Sequence, residues 1–223
     1  MPMVVTTKDS ASLSDLELAE LADLSAQRSP SFDIGFLSKE KEEWVLVTYV
    51  HEGNKLRGYS FCTLERIGGT PSLLIGLAAI DRTTKAEPAL KAIMMDQYRR
   101  ALLAFPDEDV LVGTRLISPD GFRIFTGLHD IMPFPGQKPT GEDRAWARRL
   151  AKRFTADGCL DDRTFIIKGE GEVAGCIDFL AAKLKLPEGV DKHFEALDAE
   201  RGDRLVVFGW ALAEDLSRGK LGR

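Results

Sequence analysis

Two cations, Arg82 and Lys85, stand in a short polar loop between an apolar run, Leu73 to Ile80, and a helical pattern with Pro88 in its first turn. The start of a helix carries N–H donors without intrahelical partners and the positive end of the macrodipole, so a loop of this kind suits an anion. A second turn, Gly169-Glu170-Gly171-Glu172-Val173-Ala174-Gly175, has glycines at a spacing reminiscent of dinucleotide-binding turns. Glu170 and Glu172 would face the pyrophosphate there, and the alternating strands of a doubly wound sheet are missing, so it reads as a flexible turn that opens a helix. Arg144, Arg148, Arg149, Lys152 and Arg153 form a basic helix face. Such a face could meet an anion or an acidic partner, although a solvated surface is its ordinary role. The sequence has no Gly-x-Ser-x-Gly elbow, no phosphate-binding Gly-Lys-Ser/Thr loop and no His-Glu-x-x-His, which removes the common hydrolase, nucleotide-hydrolase and metalloprotease chemistries. Cys62, Cys159 and Cys176 are widely spaced and odd in number, as free thiols in a reducing compartment would be. They make no zinc-ligand spacing with His51, His129 and His193, and no metal site is expected.

The elements that would hold these residues can be read along the chain. The 223 residues are 44% apolar and 29% charged with a net charge of -5, the composition of a globular protein with a real core. The acidic balance argues against a nucleic-acid partner, and no run reaches the length of a signal sequence or membrane span. The expectation is a cytoplasmic protein with no membrane partner. Residues 1–11 suggest a flexible end or an edge strand. Ser14-x-x-Glu17 is a capping box that starts a helix reaching about Gln27, where Ser29-Pro30-Ser31 stops it. Trp44 to Val50, Arg57 to Arg66 and Leu73 to Ile80 are strand-like, separated by turn signals, and predict an antiparallel meander. Leu90, Ile93, Met94, Tyr98, Ala101, Leu102 and Phe105 recur at helical spacing. Val110 to Ile117 follows as a strand, parallel to the one before the helix because a helix crosses between them. Asp120 to Leu128 predicts a short helix, His129 to Gln137 a loop, Thr140 to Phe154 a helix, Thr164 to Lys168 a strand, Val173 to Leu186 a helix and Leu205 to Trp210 a last strand.

From Ser14 to Leu128 the order helix, three antiparallel strands, helix, parallel strand, short helix resembles the GCN5-related N-acetyltransferase fold. The resemblance covers residues 10–130. It implies an α+β fold in which a mixed sheet is flanked by helices, with residues 131–213 as a helical and strand extension of the same domain and 214–223 as a flexible tail. It further implies an acyl-CoA, acetyl-CoA or a related thioester, whose pyrophosphate would lie on the loop held by Ile80, Arg82, Thr83, Thr84 and Lys85. The family pattern there is Arg/Gln-x-x-Gly-x-Gly/Ala, and this chain carries Lys85 and Glu87 at both glycine positions. Transfer to an amine needs a base for the ammonium proton and an acid for the departing thiolate. By position in the resemblance, Glu65 or Asp81 would be the base. The family's usual tyrosine after the fifth strand is absent, since Tyr49, Tyr59 and Tyr98 all precede it and Phe125 stands in the approximate place. Ser118, His129 or a water is left for the acid. Two readings follow: an acyl-CoA-dependent N-acyltransferase acting on a small-molecule or peptide amine, or a catalytically silent relative that serves as a binding or regulatory module.

Overall fold

The computed structural model describes residues 2–26, 31–180 and 185–221. It is an α+β protein whose ten strands form one mixed sheet flanked by helices. The edge strand β1 (Met3–Asp9) pairs antiparallel with β2 (Leu46–Glu52), which leads into β3 (Lys55–Ile67) and β4 (Thr70–Ile80), so the meander is as expected. The long apolar helix α3 (Ala86–Ala104) then crosses to β5 (Val110–Leu116), and β4 and β5 run parallel. The expected capping box is present at α1 (Asp15–Ser25), where Ser14 and Glu17 satisfy each other's backbone donors. Ser29 and Pro30, the expected stop of that helix, lie outside the described residues.

The sheet separates two helical layers. On one face α3 sits over the meander, with Gln97 Nε2 donating to Ser60 Oγ at 3.1 Å and Thr7 Oγ1 donating to Asp96 at 2.6 Å. On the other face lie α1, α2 (Ile34–Glu43) and α4 (Gly141–Arg153). A Cβ on Gly76 would lie 2.0 Å from the Trp44 ring at the end of α2, and one on Gly113 would lie 2.9 Å from Leu150 of α4. Both strands therefore carry glycine where a large side chain bears directly on the sheet. No described helix is long and apolar enough to cross a membrane.

Four expectations are corrected. Helix α2 has no counterpart in the sequence reading; Asp33 caps it by accepting from Phe36 N at 2.7 Å, and Leu37 is its buried anchor. The loop expected from His129 contains β6 (His129–Met132), which pairs with β10 (Arg204–Ala211). Of the tail expected from 214 to 223, the described part to Leu221 is not loose: α5 (Ala213–Ser217) buries Leu216, and Leu221 beyond the helix is buried as well. The helix expected over Val173 to Leu186 is not formed in its described part; residues 181–184, Leu184 among them, lie outside the description. Instead Ile177–Asp178 is a short strand, β9, between β4 and β5. Cys176, Ile177 and Phe179 are buried there. An extended segment inside a sheet buries side chains on both faces, so tertiary pairing overrode the helical period.

Candidate functional site

The parallel pair β4–β5 is joined only where Ser72–Leu74 meet Leu111–Gly113, and beyond this the strands part. Parting strands expose backbone groups that must find partners. Here each step of the opening is closed by the chain itself. Thr114 Oγ1 donates to Ile75 O at 2.8 Å and Arg115 Nη2 donates to Gly76 O at 3.0 Å. Ala78 N donates to Cys176 O at 3.0 Å, and β9 pairs with Ala78–Ala79 on one side and Leu116 on the other. Gly175 makes the entry possible, since a Cβ there would lie 2.6 Å from Gly76 O and 2.7 Å from Arg115 Nη2.

The loop after β4 lies at the carboxyl end of this opening. Thr83 N donates to Asp81 O at 2.8 Å, Ala86 N to Thr83 O at 3.0 Å and Lys85 N to Thr83 Oγ1 at 3.2 Å. Three donors that could have faced an anion are thus used within the turn. The charged side chains are also engaged. Arg82 Nη2 lies 2.9 Å from Oδ1 of Asp178, which is only 3% exposed, and Lys85 Nζ lies 3.6 Å from Glu52. Glu87 is held by Arg123 at 2.7 Å. Asp81 faces Arg57 at 2.8 Å and Lys55 at 3.3 Å, and Arg57 also binds Glu52. The hydrogen bond from Arg57 holds the Glu52 carboxyl below its usual range. Ile80 is buried, and Thr84 is exposed.

The acid and base candidates are divided between the two ends of the sheet. In the β3–β4 register Ile80, next to Asp81, pairs with Gly58, while Glu65 pairs with Ser72. Seven residues of strand at about 3.3 Å each place Glu65 roughly 23 Å from the Asp81 end. Glu65 is engaged by Arg153 at 2.6 Å. Ser118 follows β5 at the Asp81 end, where it caps the 3-10 turn Pro119–Phe125 through its backbone without a side-chain capping bond. His129 is bound to Asp215 of α5 at 2.9 Å, and Phe125 is fully buried. Tyr98 donates to Ile124 O at 3.1 Å, and burial raises its hydroxyl well above its ordinary value. The basic helix is largely engaged as well: Arg148 binds Asp162, Arg153 binds Glu43 and Glu65, and Arg149 lies over the Trp146 ring at 4.5 Å.

Three site residues escaped the sequence reading. Arg57 and Asp178 hold the loop, and Arg115 fills the opening. Arg115 left a legible trace, a lone cation inside the run Val110 to Ile117.

No protein-family model matches the sequence, and no curated protein matches it. Among solved structures it is similar to a Bacillus subtilis acetyltransferase in complex with CoA, at 17% identity and TM-score 0.40, over 58% of this chain and 80% of that one. It is similar to the ribosomal-protein-S18-alanine N-acetyltransferase of Escherichia coli at 9% identity and TM-score 0.38, over 62% and 86%. A GNAT-family acetyltransferase of Bacillus cereus aligns at 12% identity and TM-score 0.36, over 94% and 97%.

Proposed function

We propose that this chain is a catalytically silent, acetyltransferase-like binding or regulatory module. The observation that carries the reading is the filled opening between β4 and β5, with Arg82 captured by the buried Asp178. An acyl-CoA presents a pyrophosphate and an arm with two amides. The pyrophosphate would need the loop donors of Thr83, Lys85 and Ala86, which are already used. The arm would need backbone groups at parted strands, and residues 176–178 occupy those groups. The residues present do not fit the group, and Glu65 and Asp81 are separated and engaged in ion pairs. The competing reading is an acyl-CoA-dependent N-acyltransferase, with Arg82 and Lys85 on the pyrophosphate and Asp81 and Ser118 at one end of the sheet.

Calorimetric titration with acetyl-CoA and with free CoA separates the two. The module reading expects no heat and no thermal stabilisation at about 1 mM ligand, which places any Kd well above the micromolar range. Micromolar binding that disappears when Arg82 and Lys85 are both replaced by Ala would overturn it and justify a screen of amine acceptors.

A further inference from the structure

A cavity of about 220 Å³ lies against the other side of Arg115, between α2, β5 and the end of α4. Its walls include the rings of Trp44 and Phe154, with Lys39, Glu40 and Glu43 around it. Arg115 is 7% exposed, its guanidinium lies 4.5 Å over the Phe154 ring, and its Nε is buried with no hydrogen-bond partner. It forms no direct salt bridge with any described residue; the charges of Glu40 and Glu43 act on it from across the cavity, and its buried Nε is a donor left unused, a costly arrangement in a protein interior. Burial lowers it only to about 10, so it is charged at neutral pH. Glu40 accepts the Trp44 indole N–H at 2.7 Å, and burial raises its carboxyl. Glu43 is already paired with Arg153 at 2.6 Å.

A simple anion in this cavity would meet Glu40 and Glu43, and a simple cation would meet Arg115 and Lys39. A ligand with both charges satisfies both ends. Arg presents a fork of donors that matches a carboxylate, and an ammonium suits the acidic end. The volume corresponds to roughly seven waters of liquid, the scale of a small amino acid.

We propose that this cavity binds a free α-amino acid, with its carboxylate on Arg115 and its ammonium toward Glu40. This names a ligand class for the binding-module reading and rests on it. Lys39 and Glu43 line the approach, and Trp44 and Phe154 hold the body of the ligand.

The test is a thermal-shift and calorimetric screen of the full chain against each of the twenty amino acids at about 10 mM, enough to reveal a Kd near 1 mM. At least one is expected to bind. Its N-acetyl derivative and its primary amide should each bind about tenfold more weakly or worse, and so should the parent amino acid to Arg115→Lys and Glu40→Gln. No binding by any of the twenty overturns the proposal. So does binding that ignores N-acetylation or is unchanged in Glu40→Gln, the variant that decides the matter if Arg115→Lys does not fold. Acetyl-CoA is titrated in parallel. Silence from both ligands overturns the ligand class and leaves the module reading standing, whereas micromolar acetyl-CoA binding sinks the module reading itself.

Discussion

The crossover β4–α3–β5 and the chain from 155 to 203 meet in the same sheet, yet they are held by different means. The crossover rests on repetition. Leu73, Leu74, Ile75, Leu77, Ala89, Leu90, Ile93 and Val110 to Val112 are all buried, and each shares its load with neighbours at the expected period. The later chain has strands of only two residues, β7 (Leu160–Asp161), β8 (Ile166–Ile167) and β9, and depends on single polar groups. Asp203 is the clearest of these. It is 2% exposed, accepts from Gly169 N at 2.9 Å and Asp198 N at 3.2 Å, and binds Arg201 at 2.6 Å. Regions built by pattern tolerate the loss of one member; regions built by individual contacts do not.

The sharpest way to break this contrast is therefore Asp203→Ala. It strands two backbone donors and releases the half-exposed Arg201 guanidinium to solvent, and it should cost about 2–4 kcal/mol in denaturant unfolding. The hydrogen bond from Arg201 holds the Asp203 carboxyl far below its ordinary range. Its contribution is complete above the unfolded carboxylate pKa near 3.9 and is lost only as pH falls through the depressed folded value. The variant and the parent should thus converge in stability only in strong acid. Next in size is Gly76→Ala in the crossover, where the added Cβ meets Trp44 at 2.0 Å. Overpacking of this kind should cost about 2–3 kcal/mol, read as a lower denaturation midpoint. A cost below about 0.5 kcal/mol would mean that Trp44 moves aside freely and that α2 is not pressed on the sheet.

The same contrast decides what could be read from the sequence. The meander, α3 and β5 were legible because alternation and helical spacing extend over many residues and point one way. The capping box at Ser14 and Glu17 was legible because its four residues are contiguous. Helix α2 was not, since Leu37 is its one fully buried side chain and its sequence after Phe36 is nearly all charged. The strand at 177–178 was hidden because Ile177, Leu180 and Leu184 sit at helical spacing in the sequence, while the pairing that matters is with Ala78, Ala79 and Leu116, far earlier in the chain. For the candidate site, Arg82 and Lys85 were visible as charges, but their partners Asp178 and Glu52 are brought to them by topology alone. Spacing carries no information about a partner 96 residues away.

A smaller perturbation probes the seam between the regions. Arg82→Ala removes the half-exposed partner of the buried Asp178. The expected loss is about 1–2 kcal/mol, below that of a fully buried pair because Arg82 is in part solvated. Global unfolding is the weaker readout. Amide exchange at Ala78, whose N–H is bonded to Cys176 O, should quicken while exchange at Leu73, in the middle of the joined part of β4, stays slow. Equal acceleration at both positions would show that β9 and the crossover open as one unit, and the distinction between the regions would fail.

The smallest effect sets an exposed acid from the legible region beside the buried Asp203. Glu17 closes the capping box of α1 and meets Lys8 at 2.6 Å, and these contacts, the Lys8 hydrogen bond first, lower its carboxyl from 4.5 to about 2. Because the folded value is depressed, the stabilisation is complete above about pH 4.5 and is lost as pH falls toward 2. Taken at face value the shift would be worth several kcal/mol, but Glu17 and Lys8 are 34% and 26% exposed, and solvent screens the pair. Glu17→Gln, which keeps a capping side chain and removes the charge, should therefore cost only about 0.5 kcal/mol at pH 7 and nothing near pH 2. Added salt at about 1 M should erase most of that difference, whereas it should leave the cost of Asp203→Ala nearly unchanged, because ions screen a surface pair and do not reach a carboxylate enclosed by backbone donors.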